Sequence, residues 1–166
     1  RNEKERKEVD NIANHHLIKG KNTALSNRAA SICYYIQGFC NATKRDFKSA
    51  MSNFLRTKEI LDNNPMIKKD LPERYVRTIK HLIFCNIDIK DLNQAQLLVD
   101  DLKALENKKV FNSIDIRVKI FTASCSTQLV IFEKQGEFQK GLKLVEEMLK
   151  GMEIYKSYLN KEQIIL

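Results

Sequence analysis

Apolar residues recur at steps of three and four along almost the whole chain, the spacing of one face of an α-helix. Leu25, Ala29, Ile32, Ile36, Phe39 and Thr43 form one such stripe, and Phe47, Ala50, Met51, Phe54 and Leu61 form the next. The polar run Asp62-Asn63-Asn64-Pro65 follows. Proline disfavours helical geometry in the residue before it, so the helix is expected to stop there. A second pair of stripes holds Tyr75, Ile79, Leu82, Ile83 and Asn86, then Leu92, Ala95, Val99, Leu102 and Leu105. A third holds Ile114, Val118, Phe121, Cys125, Leu129 and Phe132, then Phe138, Leu142, Val145, Leu149 and Met152. A charged leading helix is expected over about residues 3–19, and Lys161–Leu166 reads as the start of another that packs on something downstream. No stretch alternates with period two for long enough to propose a strand.

Start and stop signals agree with this division. Asp70, with Pro72 and Glu73 just after it, marks the start of the second pair, and Asn112 with Asp115 marks the third. Asp46 and Asp91 are placed to cap the second helix of their pairs. The links Thr43–Asp46, Ile87–Asp91 and Lys134–Glu137 are short and polar, which forces neighbouring helices to run antiparallel. The expectation is an all-α chain of hairpins over about residues 23–63, 70–107 and 112–159.

These hairpins share a phrase. Phe39-Cys40-Asn41-Ala42-Thr43-Lys44-Arg45-Asp46-Phe47-Lys48-Ser49-Ala50 returns 45 residues later as Phe84-Cys85-Asn86-Ile87-Asp88-Ile89-Lys90-Asp91-Leu92-Asn93-Gln94-Ala95. A looser copy, Val130 to Gly141, follows after a further 46 residues. A fixed period of this size marks an array of helical repeats, in which each unit buries its apolar face against the next.

The phrase resembles the tetratricopeptide repeat. Tyr34, Gly38, Asp46-Phe47, Ala50 and Phe54 match its pattern in the first hairpin. Ile79, Asp91-Leu92, Ala95 and Val99 match in the second, and Gly136-Glu137-Phe138, Gly141 and Val145 in the third. The usual repeat has about 34 residues, so this is a long variant, similar to those in bacterial signalling and regulatory proteins. The resemblance covers roughly residues 23–159 and implies a single domain: a right-handed α-solenoid of about three repeats plus flanking helices, cut from a longer protein. Ala50, Ala95 and Gly141 are expected to let paired helices approach closely, and Phe47, Leu92 and Phe138 to plug the space behind each turn.

In that family the first helix of each hairpin lines a concave groove that binds peptides or proteins. Carried over, the groove-facing positions are Ile32, Tyr35, Ile36, Phe39 and Thr43, then Arg77, Lys80, His81, Phe84 and Asp88, then Ala123, Ser126, Thr127, Val130, Glu133 and Lys134. Tyr35, Phe39, Arg77, Lys80, His81, Phe84 and Lys134 are the candidate binding residues, an apolar and aromatic patch beside a basic one. Such a surface suits a ligand with hydrophobic anchors and some acidic character. Phe39 and Phe84 stand where the family's carboxylate-clamp Asn would be, which argues against a chaperone-tail ligand.

Composition narrows the class further. Apolar residues make up 43% and charged residues 30% of 166, a globular balance, and only 2 Pro and 5 Gly leave room for long helices. Net charge is +8, yet the basic residues are scattered among acids, so nucleic-acid binding is the weaker expectation. No run of 18 apolar residues suggests a membrane span. Cys33, Cys40, Cys85 and Cys125 form no Cys-x-x-Cys and read as buried thiols in a reducing, cytoplasmic setting.

Catalytic and metal signatures are weak. His15 and His16 are neighbours, so on a helix they point about 100° apart, a poor ligand pair. Gly20-Lys21-Asn22-Thr23 lacks the earlier Gly and Lys-Ser/Thr pair of a phosphate loop. The expectation is a non-catalytic protein- or peptide-binding module with no cofactor and no metal, part of a transcriptional or signalling regulator. The alternative is a self-associating or spacer module.

Overall fold

The computed structural model describes residues 3–19 and 26–158, and among them every regular element is helical. Helices α1 (Glu3–Asn14) and α2 (His16–Lys19) lead into α3 (Asn27–Thr43), α4 (Phe47–Asp62) and the short α5 (Pro65–Asp70). Helices α6 (Pro72–Asp88) and α7 (Leu92–Ala104) follow, then 3-10 turns at Leu105–Asn107 and Lys109–Phe111, then α8 (Ile114–Gln135) and α9 (Phe138–Tyr155). Leu25, Gly20–Thr23 and Lys161–Leu166 lie outside the described residues. The helices group into two compact units, one ending at Leu71 and the other starting at Pro72.

One turn geometry recurs in both units. Arg45, Lys90 and Gly136 have left-handed backbones, with φ of 63°, 68° and 71°. Each is followed by an acidic residue whose amide reaches back five residues: Asp46 to the Asn41 carbonyl, Asp91 to Asn86 and Glu137 to Phe132. This is a helix-terminating motif that satisfies otherwise orphaned carbonyls. Asp46 and Asp91 then cap the next helix, accepting from the Ser49 and Gln94 amides at 3.1 and 3.0 Å. Glu137 makes no such side-chain cap.

In the first unit α3 and α4 form a tight pair. Ala50, Phe54 and Leu61 have no exposure. Gly38 faces Phe54 so closely that a Cβ there would meet the ring at 2.7 Å, and Tyr35 lies edge-on to the same ring at 5.8 Å. A buried phenylalanine of this kind contributes roughly 1.5–3 kcal/mol through apolar burial alone. The expected leading helix is broken at His15, whose ring nitrogen accepts from the Leu17 amide. Both resulting segments are tied to α3: Gln37 donates to the Ala13 carbonyl at 2.9 Å, Lys44 pairs with Asp10, and the Cys33 thiol donates to Leu17. The expected stripe of α3 is displaced. Ser31, Cys33, Gly38 and Cys40 are buried, whereas Phe39 is 47% exposed.

Two expected boundaries move. Pro65 does end α4, but it also opens α5, where its missing N–H costs nothing at the first helical position. Asp70 therefore belongs to α5 and pairs with Arg28, while α6 starts at Pro72. Further on, Ser113 rather than Asn112 precedes α8, because 3-10 turns carry the chain through Phe111. Phe111 is buried against Tyr75, with ring centroids 5.6 Å apart.

In the second unit the expected stripes of α6 and α7 are the buried ones, including Ile79, Leu82, Ile83, Ala95, Val99 and Leu102. Helix α8 is buried on several sides, since it packs on α6, α7 and α9 together. Ile116, Ile120, Ser124, Thr127, Gln128 and Ile131 are all buried there, outside the expected stripe. Helix α9 corrects the sequence reading most. It buries Leu144, Met148 and Gly151, and leaves Phe138, Leu142, Val145 and Leu149 facing outward. Gly141 has no atom within 4 Å of where its Cβ would stand, so the close approach expected there occurs instead at Gly151, against Phe121. Phe138, 68% exposed, plugs nothing behind its turn.

Candidate functional site

The candidate residues divide between the units: Tyr35 and Phe39 in the first, Arg77, Lys80, His81, Phe84 and Lys134 in the second. Within α6 the spacing 77, 80, 81 and 84 places four of them on one helical face. Arg77 is exposed and engaged by Glu73 at 2.6 Å. Lys80 is half-buried with its ammonium 5.9 Å from the Phe84 ring centre, a cation–π contact. Burial, with Arg77 beside it, holds the Lys80 ammonium below its ordinary pKa. His81 is pushed down to about 4 by burial, with Lys80 and Arg77 adding to the effect. The imidazole is therefore neutral at pH 7, and the charge on this face comes from Arg77 and Lys80.

Lys134 sits at the far end of α8, exposed and 3.7 Å from Glu133. Thr127, expected to face a groove, has no exposure and bonds back to the Ala123 carbonyl at 2.8 Å. Tyr35 packs on Phe54 as part of the first unit's interior, while Phe39 stays half-exposed.

Two junctions escaped the sequence reading. Lys119 of α8 bridges Glu73 of α6 at 3.0 Å and Asp115 at 2.6 Å. Gln128 of α8 pairs reciprocally with Gln96 of α7, at 2.6 and 3.1 Å, and accepts from Lys103 at 3.2 Å. These contacts join α8 to both helices of the preceding pair. One signal was available: Lys119 follows Glu73 by 46 residues, one repeat of the phrase.

The first unit also has an open cleft of about 1100 Å³ beside Tyr34, Asn41, Asn53, Arg56 and Asp62. Much of its charge is paired internally, Arg56 with Glu59 at 2.6 Å and Asp62 with Lys58 and Lys68 at 2.8 Å. The cysteines are all free and buried. Burial pushes the thiols of Cys40 and Cys125 up, and that of Cys85 to about 11, which suppresses thiolate chemistry. Among the described residues no group of three or more His, Cys, Asp or Glu comes together to hold a metal, and no helix is long and apolar enough to cross a membrane. No family model, curated protein or solved structure matches this chain.

Proposed function

We propose that this chain is a non-catalytic, tetratricopeptide-like scaffold that binds a protein or peptide segment along the half-buried face of α6 that carries Arg77, Lys80, His81 and Phe84. The reading rests on one observation above others: Arg77, Lys80, His81 and Phe84 share a face on which a cation and an aromatic ring are held together and partly dried. A half-buried ammonium beside a ring favours an acidic group flanked by an apolar anchor. Its position on the first helix of a hairpin is where a helical repeat array presents its ligand surface. The recurrent turn at Arg45, Lys90 and Gly136 supports reading the chain as such an array.

The test is an array of acidic peptides carrying one aromatic or aliphatic anchor, followed by calorimetric titration of the full chain. Lys80→Glu is expected to weaken a captured peptide by more than about tenfold, and Tyr35→Ala to leave it unchanged if α6 alone carries the contact. Binding that Lys80→Glu and Phe84→Ala both leave intact sinks the reading.

A further inference from the structure

Helices α1 and α2 lie on the first hairpin without joining its core. Neither buries a residue. Val9, Ala13 and Ile18 are half-buried, while Ile12 and Leu17 stay exposed. Helix α9, at the other end of the chain, buries Leu144, Met148 and Gly151. Apolar packing is what normally holds a short helix in place, and segments that lack it open at a fraction of the global unfolding free energy.

Three polar contacts hold these helices to α3 from a single row. Cys33, Gln37, Cys40 and Lys44 follow one another at steps of four, three and four, so they share one side of α3, away from the Gly38 side that receives Phe54. Gln37 donates to the Ala13 carbonyl at 2.9 Å, and the Cys33 thiol to the Leu17 carbonyl at 3.2 Å. Both carbonyls lie in the last turn of their helices, where no later helical amide reaches back to them. A thiol is a weak donor. The third contact, Lys44 with Asp10, joins side chains that are 42% and 54% exposed, a setting in which an ion pair contributes little.

Under this thin cover sit two thiols. Cys40 is 2% exposed and Cys33 8%. Burial pushes the Cys40 thiol up, Lys44 opposes the shift and Asp10 adds to it, so the carboxylate of α1 acts directly on the residue beneath it. We propose that α1–α2 is a detachable strap, which opens as one unit while α3–α4 stays folded and so gates the row Cys33, Gln37 and Cys40. Closed, it shields both thiols and engages the Gln37 amide. Open, it presents two thiols and a free amide donor on the first helix of a hairpin. The device lies within the first unit and does not depend on the α6 face.

The test is alkylation of the full chain by iodoacetamide, with each cysteine followed by mass spectrometry. Each rate is divided by that of the same thiol in the urea-unfolded chain at the same pH, which removes differences in intrinsic reactivity. Cys33 and Cys40 should then react at least about tenfold faster than Cys85 and Cys125. Asp10→Lys, at an exposed position, should speed both Cys33 and Cys40 by about fivefold and leave Cys85 and Cys125 unchanged. Adding Lys44→Glu to Asp10→Lys should restore the slow rates, because the ion pair re-forms with its charges exchanged. Gln37→Ala should speed the same two thiols by about tenfold. Cys33 has to follow Cys40 in every variant, since a purely local charge effect of Asp10→Lys would reach Cys40 alone. Lys80→Glu should change none of these rates, so failure here and failure of the α6 reading are distinguishable. Cys33 and Cys40 as well protected as Cys85 and Cys125 would make the leading helices part of the core and overturn the proposal. So would a rise shared by all four thiols, a rise at Cys40 alone, or rates that Asp10→Lys and Gln37→Ala both leave unchanged.

Discussion

The hairpin α3–α4 of the first unit and the hairpin α8–α9 of the second share a turn but not a packing mode. Both turn through a left-handed residue followed by an acid, Arg45-Asp46 in one and Gly136-Glu137 in the other. Beyond the turn they diverge. In α3–α4 the glycine of the first helix, Gly38, admits the Phe54 ring of the second, and Ala50 and Phe54 are wholly buried. In α8–α9 the roles reverse: Gly151 of the second helix admits Phe121 of the first, and the positions equivalent to Ala50 and Phe54 are Gly141 and Val145, which stay open. A local motif can repeat faithfully while the helices it joins rotate to suit their neighbours. Among the described residues α9 packs mainly on α8, and half of its apolar arc faces outward.

The largest expected effect lies on the side chain that closes the first hairpin. Phe54→Ala should cost about 3–5 kcal/mol in urea denaturation followed by circular dichroism, whereas Leu142→Ala should change stability by less than about 0.5 kcal/mol. Equal costs would mean that α9 is packed as α4 is.

Acid should separate the units that hold these hairpins. His81, in the second unit, has a folded pKa of about 4 against roughly 6.5 when unfolded. The unfolded chain takes up a proton that the folded chain refuses. Stability is therefore fully present above about pH 6.5 and falls as pH drops toward 4, by up to about 3 kcal/mol. Protection factors in α6 and α7, taken against the intrinsic exchange rate at each pH, should fall over that window, and His81→Gln should remove the fall. Protection that is flat in the native chain would contradict the buried neutral imidazole.

The two glycines sharpen the contrast at smaller scale. Gly38→Ala drives a methyl into a ring that has no room to swing, and should cost about 1–3 kcal/mol. Gly141→Ala meets nothing and gains helix propensity, so it should stabilise by up to about 1 kcal/mol. The same denaturation measurement checks both, and opposite signs are the expected result.

The smallest effect probes what the hairpins share. Gly136→Ala places a methyl in a left-handed backbone and should cost about 1 kcal/mol. Arg45→Gly relieves that strain in the first turn and should be neutral to stabilising by about 1 kcal/mol. A large loss on Arg45→Gly would mean that the side chain, not the backbone, secures that turn.

Much of the architecture was legible beforehand. The capping role of Asp46 and Asp91 needs only their own turn, and the stripes of α6 and α7 are the faces actually buried. The candidate site was legible in part. Arg77, Lys80, His81 and Phe84 share a face because helical spacing alone puts them there. That Arg77 is engaged by Glu73, and that His81 is neutral, follows from burial and neighbouring charge that spacing does not carry. The Gln96–Gln128–Lys103 junction was invisible, since its partners lie 25 and 32 residues apart in sequence.

What the sequence by itself determined is where helices run and where they turn, because apolar periodicity, capping acids and the left-handed position act within a few residues of one another. Which arc of α3, α8 and α9 is buried was decided only by the tertiary structure. On α9 the apolar arc is wider than one contact, and its large residues, Phe138, Leu142, Val145 and Leu149, point the pattern toward the outward side. The buried side is instead the one holding Gly151, where a missing side chain lets Phe121 come close. A glycine adds nothing to a hydrophobic stripe, yet its empty space is what a neighbouring ring requires.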